Sequence, residues 1–310
     1  MSLARVLLCI ALSLAVGAQS DDISQRLRRA LEASGKGEIA AAALAEKNFA
    51  RVEELLASER PSNSGDRASL LSLLGAVEFL EGNMRSAAAS FQEAARLAPL
   101  EDSDRFTLAM ALIKLGNGTQ SRVLLEELSK GHPERAIYVY WLGRLDYDER
   151  RYDNAVLRLQ KATELDPESA RAWDALGLAF DMQGRPEQAL RALQQSAILN
   201  RRLAQPSPWP PHDFGCLLLR TEKPQEAEAV LREALRYNPA MPEAHYHLGR
   251  VLQKEERNKE AIDQYLAAIS LDAASTDACY SLAMLYRKLH REEDAKAMFA
   301  EMARRKEAVH

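Results

Sequence analysis

Several things are scarce in this 310-residue sequence, and each absence narrows the function. Three cysteines, Cys9, Cys216 and Cys279, are too few and too scattered for a disulfide framework. Lysine and arginine number 41 against 45 aspartates and glutamates, so there is no basic excess and no footprint for non-specific nucleic-acid binding. The nearly unbroken apolar run Val6 to Val16 falls short of the roughly 20 residues that a membrane-spanning helix needs. No catalytic constellation is present. His245-Tyr-His247 places two histidines at i and i+2, which point to different faces of a helix, and lacks the i, i+4 spacing with an intervening glutamate of a zinc helix. Gly116-Asn-Gly118 has neither the preceding strand nor the Gly-Lys-Ser/Thr ending of a phosphate loop. Cys216 and Cys279 read as free, half-buried thiols with no further ligands clustered beside them in the chain. No catalytic residue, no metal and no cofactor is therefore expected.

What is present begins with residues 1–18. Arg5 stands in a short n-region, Val6 to Val16 forms an apolar core, and Val16-Gly17-Ala18 offers small residues for cleavage after Ala18. This is the pattern of a secretory signal peptide and predicts a secreted or periplasmic protein with no stable membrane span after cleavage. Removal takes only Arg5 from the charge count, leaving 40 basic against 45 acidic residues.

The remainder has a period. Stepping back by 34 from Gly177 meets Gly143, Ala109 and Gly75, all small; stepping back from Ala189 meets Ala155, Ser121 and Ala87. Downstream, Gly215, Gly249 and Ala283 recur at the same interval, paired with Ala227, Ala261 and Ala295, after a join four residues longer. Each unit reads as two amphipathic helices with large residues at spacings of three and four. In Ala170–Leu203, Trp173, Leu176 and Phe180 mark helix A, Gln183-Gly184-Arg185 the turn, and Pro186 the start of helix B, where its missing N–H costs nothing. The small residues let the two axes approach.

A 34-residue helix–turn–helix period of this kind resembles the tetratricopeptide repeat. The resemblance spans Ala68 to Val309 in seven units and implies an all-α, right-handed superhelical solenoid in which each unit packs only on its neighbours. Four units fill 68–203. Pro206-Ser-Pro208-Trp209-Pro210-Pro211 stiffens a connector over 204–211, and three more units fill 208–309. The regular spacing on either side favours a lengthened turn over a break in the array. Residues 21–67 read as a degenerate helical unit covering the N-terminal end, with Ile23, Leu27 and Leu31 at four-residue spacing and Pro61–Gly65 as a loop. In the last unit Lys296 and Ala303 replace the apolar residues that earlier units present to a neighbour, as a terminal repeat requires.

The resemblance also implies a binding surface, since helix A of these repeats lines the concave face, where extended peptides dock. The positions assigned to that face carry Tyr140, Trp141, Arg144 and Tyr147 in the third unit, Trp209 and His212 in the fifth, Tyr246, His247, Arg250 and Lys254 in the sixth, and Tyr280 and Arg287 in the seventh. Trp173 falls at a core position. Aromatic residues and arginine dominate binding hot spots, and the face turns basic toward the C-terminus. The expected partner is a protein or peptide, an extended and acidic segment. The lysine/asparagine clamp of the chaperone-binding subset finds no match at Ser72/Ala76, Phe106/Met110 or Tyr140/Arg144. Self-assembly, including a homodimer through the array ends, is the alternative.

Overall fold

A computed structural model describes residues 21–272 and 275–308; residues 1–18, read above as a signal peptide, and Val309 lie outside the described residues. The described chain is all-α, with seventeen helices and no strand. It divides into two compact units, 1–149 and 150–310. Within the first lie α1 (21–30), α2 (Gly37–Ala45), α3 (Phe49–Ala57), α4 (Ser64–Glu81), α5 (Met84–Leu97), α6 (Asp102–Lys114), α7 (Gly118–Gly131) and α8 (Ala136–Asp148). The second holds α9 (Tyr152–Leu165), α10 (Ala170–Met182), α11 (Pro186–Asn200), α12 (Trp209–Arg220), α13 (Pro224–Tyr237), α14 (Pro242–Lys254), α15 (Asn258–Leu271), α16 (Thr276–Lys288) and α17 (Glu292–Ala308).

In the first unit α1 buries Ile23 and Leu27, and its Arg26 makes two 2.8 Å hydrogen bonds to the buried carboxylate of Asp104 on α6. Helix α4 starts at Ser64, inside the stretch read as a loop, because Asn63 accepts a hydrogen bond from the Asp66 amide at 2.9 Å and so caps an earlier first turn.

The second unit stacks hairpins in chain order, and its A helices α10, α12, α14 and α16 lie side by side. In three of these hairpins the close approach is made by the glycine of helix A against the residue sixteen positions on; α16 has Ala283 at that position. A Cβ on Gly177 would sit 2.6 Å from Leu193 Cγ; on Gly215, 2.7 Å from Leu231 Cγ; on Gly249, 2.8 Å from the Tyr265 ring. Leu193, Leu231 and Tyr265 are fully buried. The small alanine of helix B therefore shares the contact with a large neighbour that fills the space the glycine leaves.

Hairpin turns close by one device. The N–H of Arg185 bonds Phe180 O at 3.0 Å and that of Arg257 bonds Leu252 O at 2.9 Å, each reaching back over a residue in the left-handed region. Gly184 (φ 71°) is suited to that conformation, whereas Arg150, Glu222, Glu256 and His290 occupy it at φ between 56° and 62°. A Cβ there costs about 1–2 kcal/mol, partly offset by the greater unfolded-state freedom of glycine. Glu256→Gly is thus expected to stabilise the protein by roughly 0.5–1 kcal/mol, read as a higher urea midpoint at unchanged slope.

The Pro-rich stretch lies wholly within the second unit. Pro210 and Pro211 are not part of an extended connector: they occupy the first turn of α12, where a missing N–H goes unneeded. The four extra residues form a loop whose ends are tied together. Asn200 Nδ2 donates to Ser207 O at 2.8 Å, and Ser207 N donates to Asn200 Oδ1 at 2.9 Å. Arg201 makes a bidentate pair with buried Glu233 at 2.7 and 2.8 Å. At the far end Arg305 of α17 donates to the carbonyls of Ile269 and Asp272, closing the C-terminus of α15.

Candidate functional site

The twelve residues assigned to the binding face fall in both units. Four sit on α8 of the first. Tyr140, Trp141 and Arg144 are not open to solvent, being only 7–8 % exposed. The Tyr140 and Trp141 rings meet edge to face at 5.3 Å, and the Arg144 guanidinium lies 5.5 Å from the centre of the half-buried Tyr147 ring. The tryptophans exchange their expected places. Trp141 and Trp209 are buried, while Trp173 is half-exposed, held at the helix edge by a 2.8 Å bond from its indole N–H to Pro167 O.

The other eight residues come together on α12, α14 and α16. A row of rings runs from buried Trp209 to His212 (5.4 Å), His247 (5.1 Å), Tyr246 (5.0 Å) and Tyr265 (6.1 Å). Arg250 stands 5.8 Å over the Tyr246 ring. Past it opens a cavity of about 340 Å³, lined by Arg250, Gln253, Lys254, Tyr280, Met284 and Lys288. Tyr280 is 51 % exposed, and Met284 is exposed beside it. Lys254 is paired with Glu222. Arg250, Arg287 and Lys288 are exposed and have no carboxylate partner among the described residues. The result is a ring-lined, unneutralised cationic patch, fit for carboxylates and apolar side chains together.

Behind it lies a cluster that the sequence analysis missed. Cys216 does have ligand-type neighbours: His212, Cys216 and His247 bring their ligand atoms within 4.8 Å of one another. His212 and Cys216 share one face of α12 at i, i+4, and His247 reaches them from the next repeat. His245, by contrast, faces α15 and pairs with Gln264 at 2.7 Å. Burial pushes His212 down to about 4 and His247 to about 3, the latter aided by the neighbouring charges of His212 and Arg250; burial also pushes the Cys216 thiol well above its ordinary value. Cys279 is a second free thiol, buried on α16.

Comparison with known proteins agrees with the repeat architecture. Residues 106–157 and 212–278 match a family model described as tetratricopeptide repeat, and residues 143–184 match a second one described as TPR repeat. Human tetratricopeptide repeat protein 7A is 27 % identical over 144 residues, 46 % of this chain and 16 % of its own. Anaphase-promoting complex subunit 6 of Arabidopsis thaliana is 24 % identical over 209 residues, 64 % of this chain and 38 % of its own. The chain thus spans well under half the length of either relative. Among solved structures, Pseudomonas aeruginosa pilF superposes with a TM-score of 0.58 at 19 % identity, covering 74 % of this chain and 99 % of that one. That likeness is one of fold.

Proposed function

The chain carries tetratricopeptide repeats, which mediate protein–protein interaction, and on that premise we propose that its second unit holds an extended acidic polypeptide segment. The binding face is the surface of α14 and α16, and the chain acts without catalysis of its own. One observation carries this reading: Arg250 and Lys288 line, with the open ring of Tyr280, a cavity of about 340 Å³ and have no carboxylate partner among the described residues, and Arg287 is exposed on the same helix as Tyr280 and Lys288. Carboxylates of a docked segment would meet these cations while its apolar side chains cover Tyr280 and Met284. Residues 1–18 support placing this activity in a secreted or periplasmic compartment.

One experiment on the chain exported from cells tests both parts. Its N-terminus is expected at Gln19. A fluorescent glutamate-rich peptide is expected to bind it, more weakly as salt rises, and Arg250→Glu with Lys288→Glu is expected to lower that affinity about tenfold or more. An unprocessed N-terminus would remove the compartment; affinity unchanged by the charge reversal would remove the site.

A further inference from the structure

The histidine–cysteine cluster between α12 and α14 has the geometry of a metal site. His212 Nε2 lies 3.5 Å from Cys216 Sγ and 3.2 Å from His247 Nδ1. A tetrahedral zinc ion, with Zn–N near 2.0–2.1 Å and Zn–S near 2.3 Å, sets its ligand atoms about 3.3 Å apart from N to N and about 3.6 Å from N to S. Both of these edges match those values, and the third, between Cys216 and His247, is within 4.8 Å. We propose that His212, Cys216 and His247 bind one zinc ion, with the fourth position taken by water or by a donor group from outside the chain.

The surroundings fit that role. Asp213 Oδ1 lies 2.8 Å from His212 Nδ1, so this hydrogen-bond pattern puts the ring proton on Nδ1 and leaves the Nε2 lone pair toward the cluster. A carboxylate behind a ligating histidine is the usual support of a zinc ligand. Trp209 meets the His212 ring edge-on and Tyr246 the His247 ring, screening two sides. Burial keeps both imidazoles neutral at pH 7, as ligands must be.

Cys216 is a thiol in the metal-free chain, with Nε2 of His212 as its acceptor. Zinc replaces that proton: the S–H bond breaks, a Zn–S bond forms, and one proton leaves to solvent for each ion bound. His247 Nδ1, 3.0 Å from the Glu243 carbonyl, exchanges that contact for the metal as its ring proton moves to Nε2. The carbonyl keeps the helical N–H of residue 247.

The test is a cobalt titration of the full, reduced, tag-free chain after chelation. One Co²⁺ per chain is expected, with thiolate-to-cobalt charge-transfer absorption, one proton released, and displacement by Zn²⁺. Cys216→Ser is expected to abolish the charge-transfer band, and Cys279→Ser to leave it unchanged. Asp213→Asn is expected to weaken binding roughly 10- to 100-fold. The titration of the unaltered chain decides independently of how the variants fold. Absence of stoichiometric Co²⁺ binding, or a band that survives Cys216→Ser or follows Cys279, would overturn the assignment.

Discussion

Alanine at Gly177 is expected to lower stability by about 1–3 kcal/mol, a large effect for one methyl group. The added carbon would stand 2.6 Å from Leu193 Cγ, 2.8 Å from its Cδ2 and 3.1 Å from its backbone N. The side chain could turn away, but the backbone atom belongs to α11 and moves only with the helix. Leu193 is fully buried, so Leu193→Ala on its own leaves a cavity and is expected to cost about 2–5 kcal/mol. The two changes share one volume and should not add. The double variant is expected to be more stable than the sum of the single losses predicts, by about 1 kcal/mol or more. Urea denaturation of the four chains checks this, and strict additivity would mean that the glycine is not there to make room for the leucine.

Acidification is expected to weaken the second unit through His247 and His212. In the unfolded chain both titrate near 6.5; in the folded chain burial holds His247 to about 3 and His212 to about 4, with Glu243 opposing the shift of His212. Between pH 6.5 and those values the unfolded state binds protons that the folded state refuses. Stability is therefore complete above about pH 7 and falls as pH drops, by up to about 1.4 kcal/mol per pH unit for each histidine. By pH 5, His247 alone removes about 2 kcal/mol, and His212 acts in the same sense. The groups facing the pair are Asp213, Cys216, Glu243 and Arg250. Urea midpoints recorded against pH in the presence of a chelator should fall more steeply for the unaltered chain than for His247→Gln between pH 6.5 and 4. Equal slopes would show that His247 is not held neutral.

The helical fold was legible because it rests on one repeated need: a small residue every 34 positions where two helices cross. The same spacing marked the turn at Gly184. The same register runs on from Gly184 to Glu222, Glu256 and His290, which share its left-handed backbone although nothing in their side chains announces it. The cationic end of the candidate site was also legible, because Arg250, Lys254 and Arg287 occupy helix positions that point away from the packed side. The aromatic residues were harder to place. Whether a tryptophan on helix A turns inward depends on what stands beside it, and Trp173 stays at the edge because Pro167 O captures its N–H. The His–Cys cluster escaped a search along single helices, since it needs an i, i+4 pair from one repeat and a third side chain 35 residues on. That offset is one more than the period, so comparing equivalent positions passes over it.

The tied loop after α11 bears on how such an array changes length. Four surplus residues would ordinarily throw every later helix out of phase. Here Asn200 and Ser207 pin the two ends, Arg201 is moored to Glu233, and residues 202–205 bulge into solvent. The row from α10 to α16 carries on across the surplus with its neighbours unchanged. The loop works as an expansion joint, a place where the chain can grow or shrink while the row of helices on either side keeps its spacing.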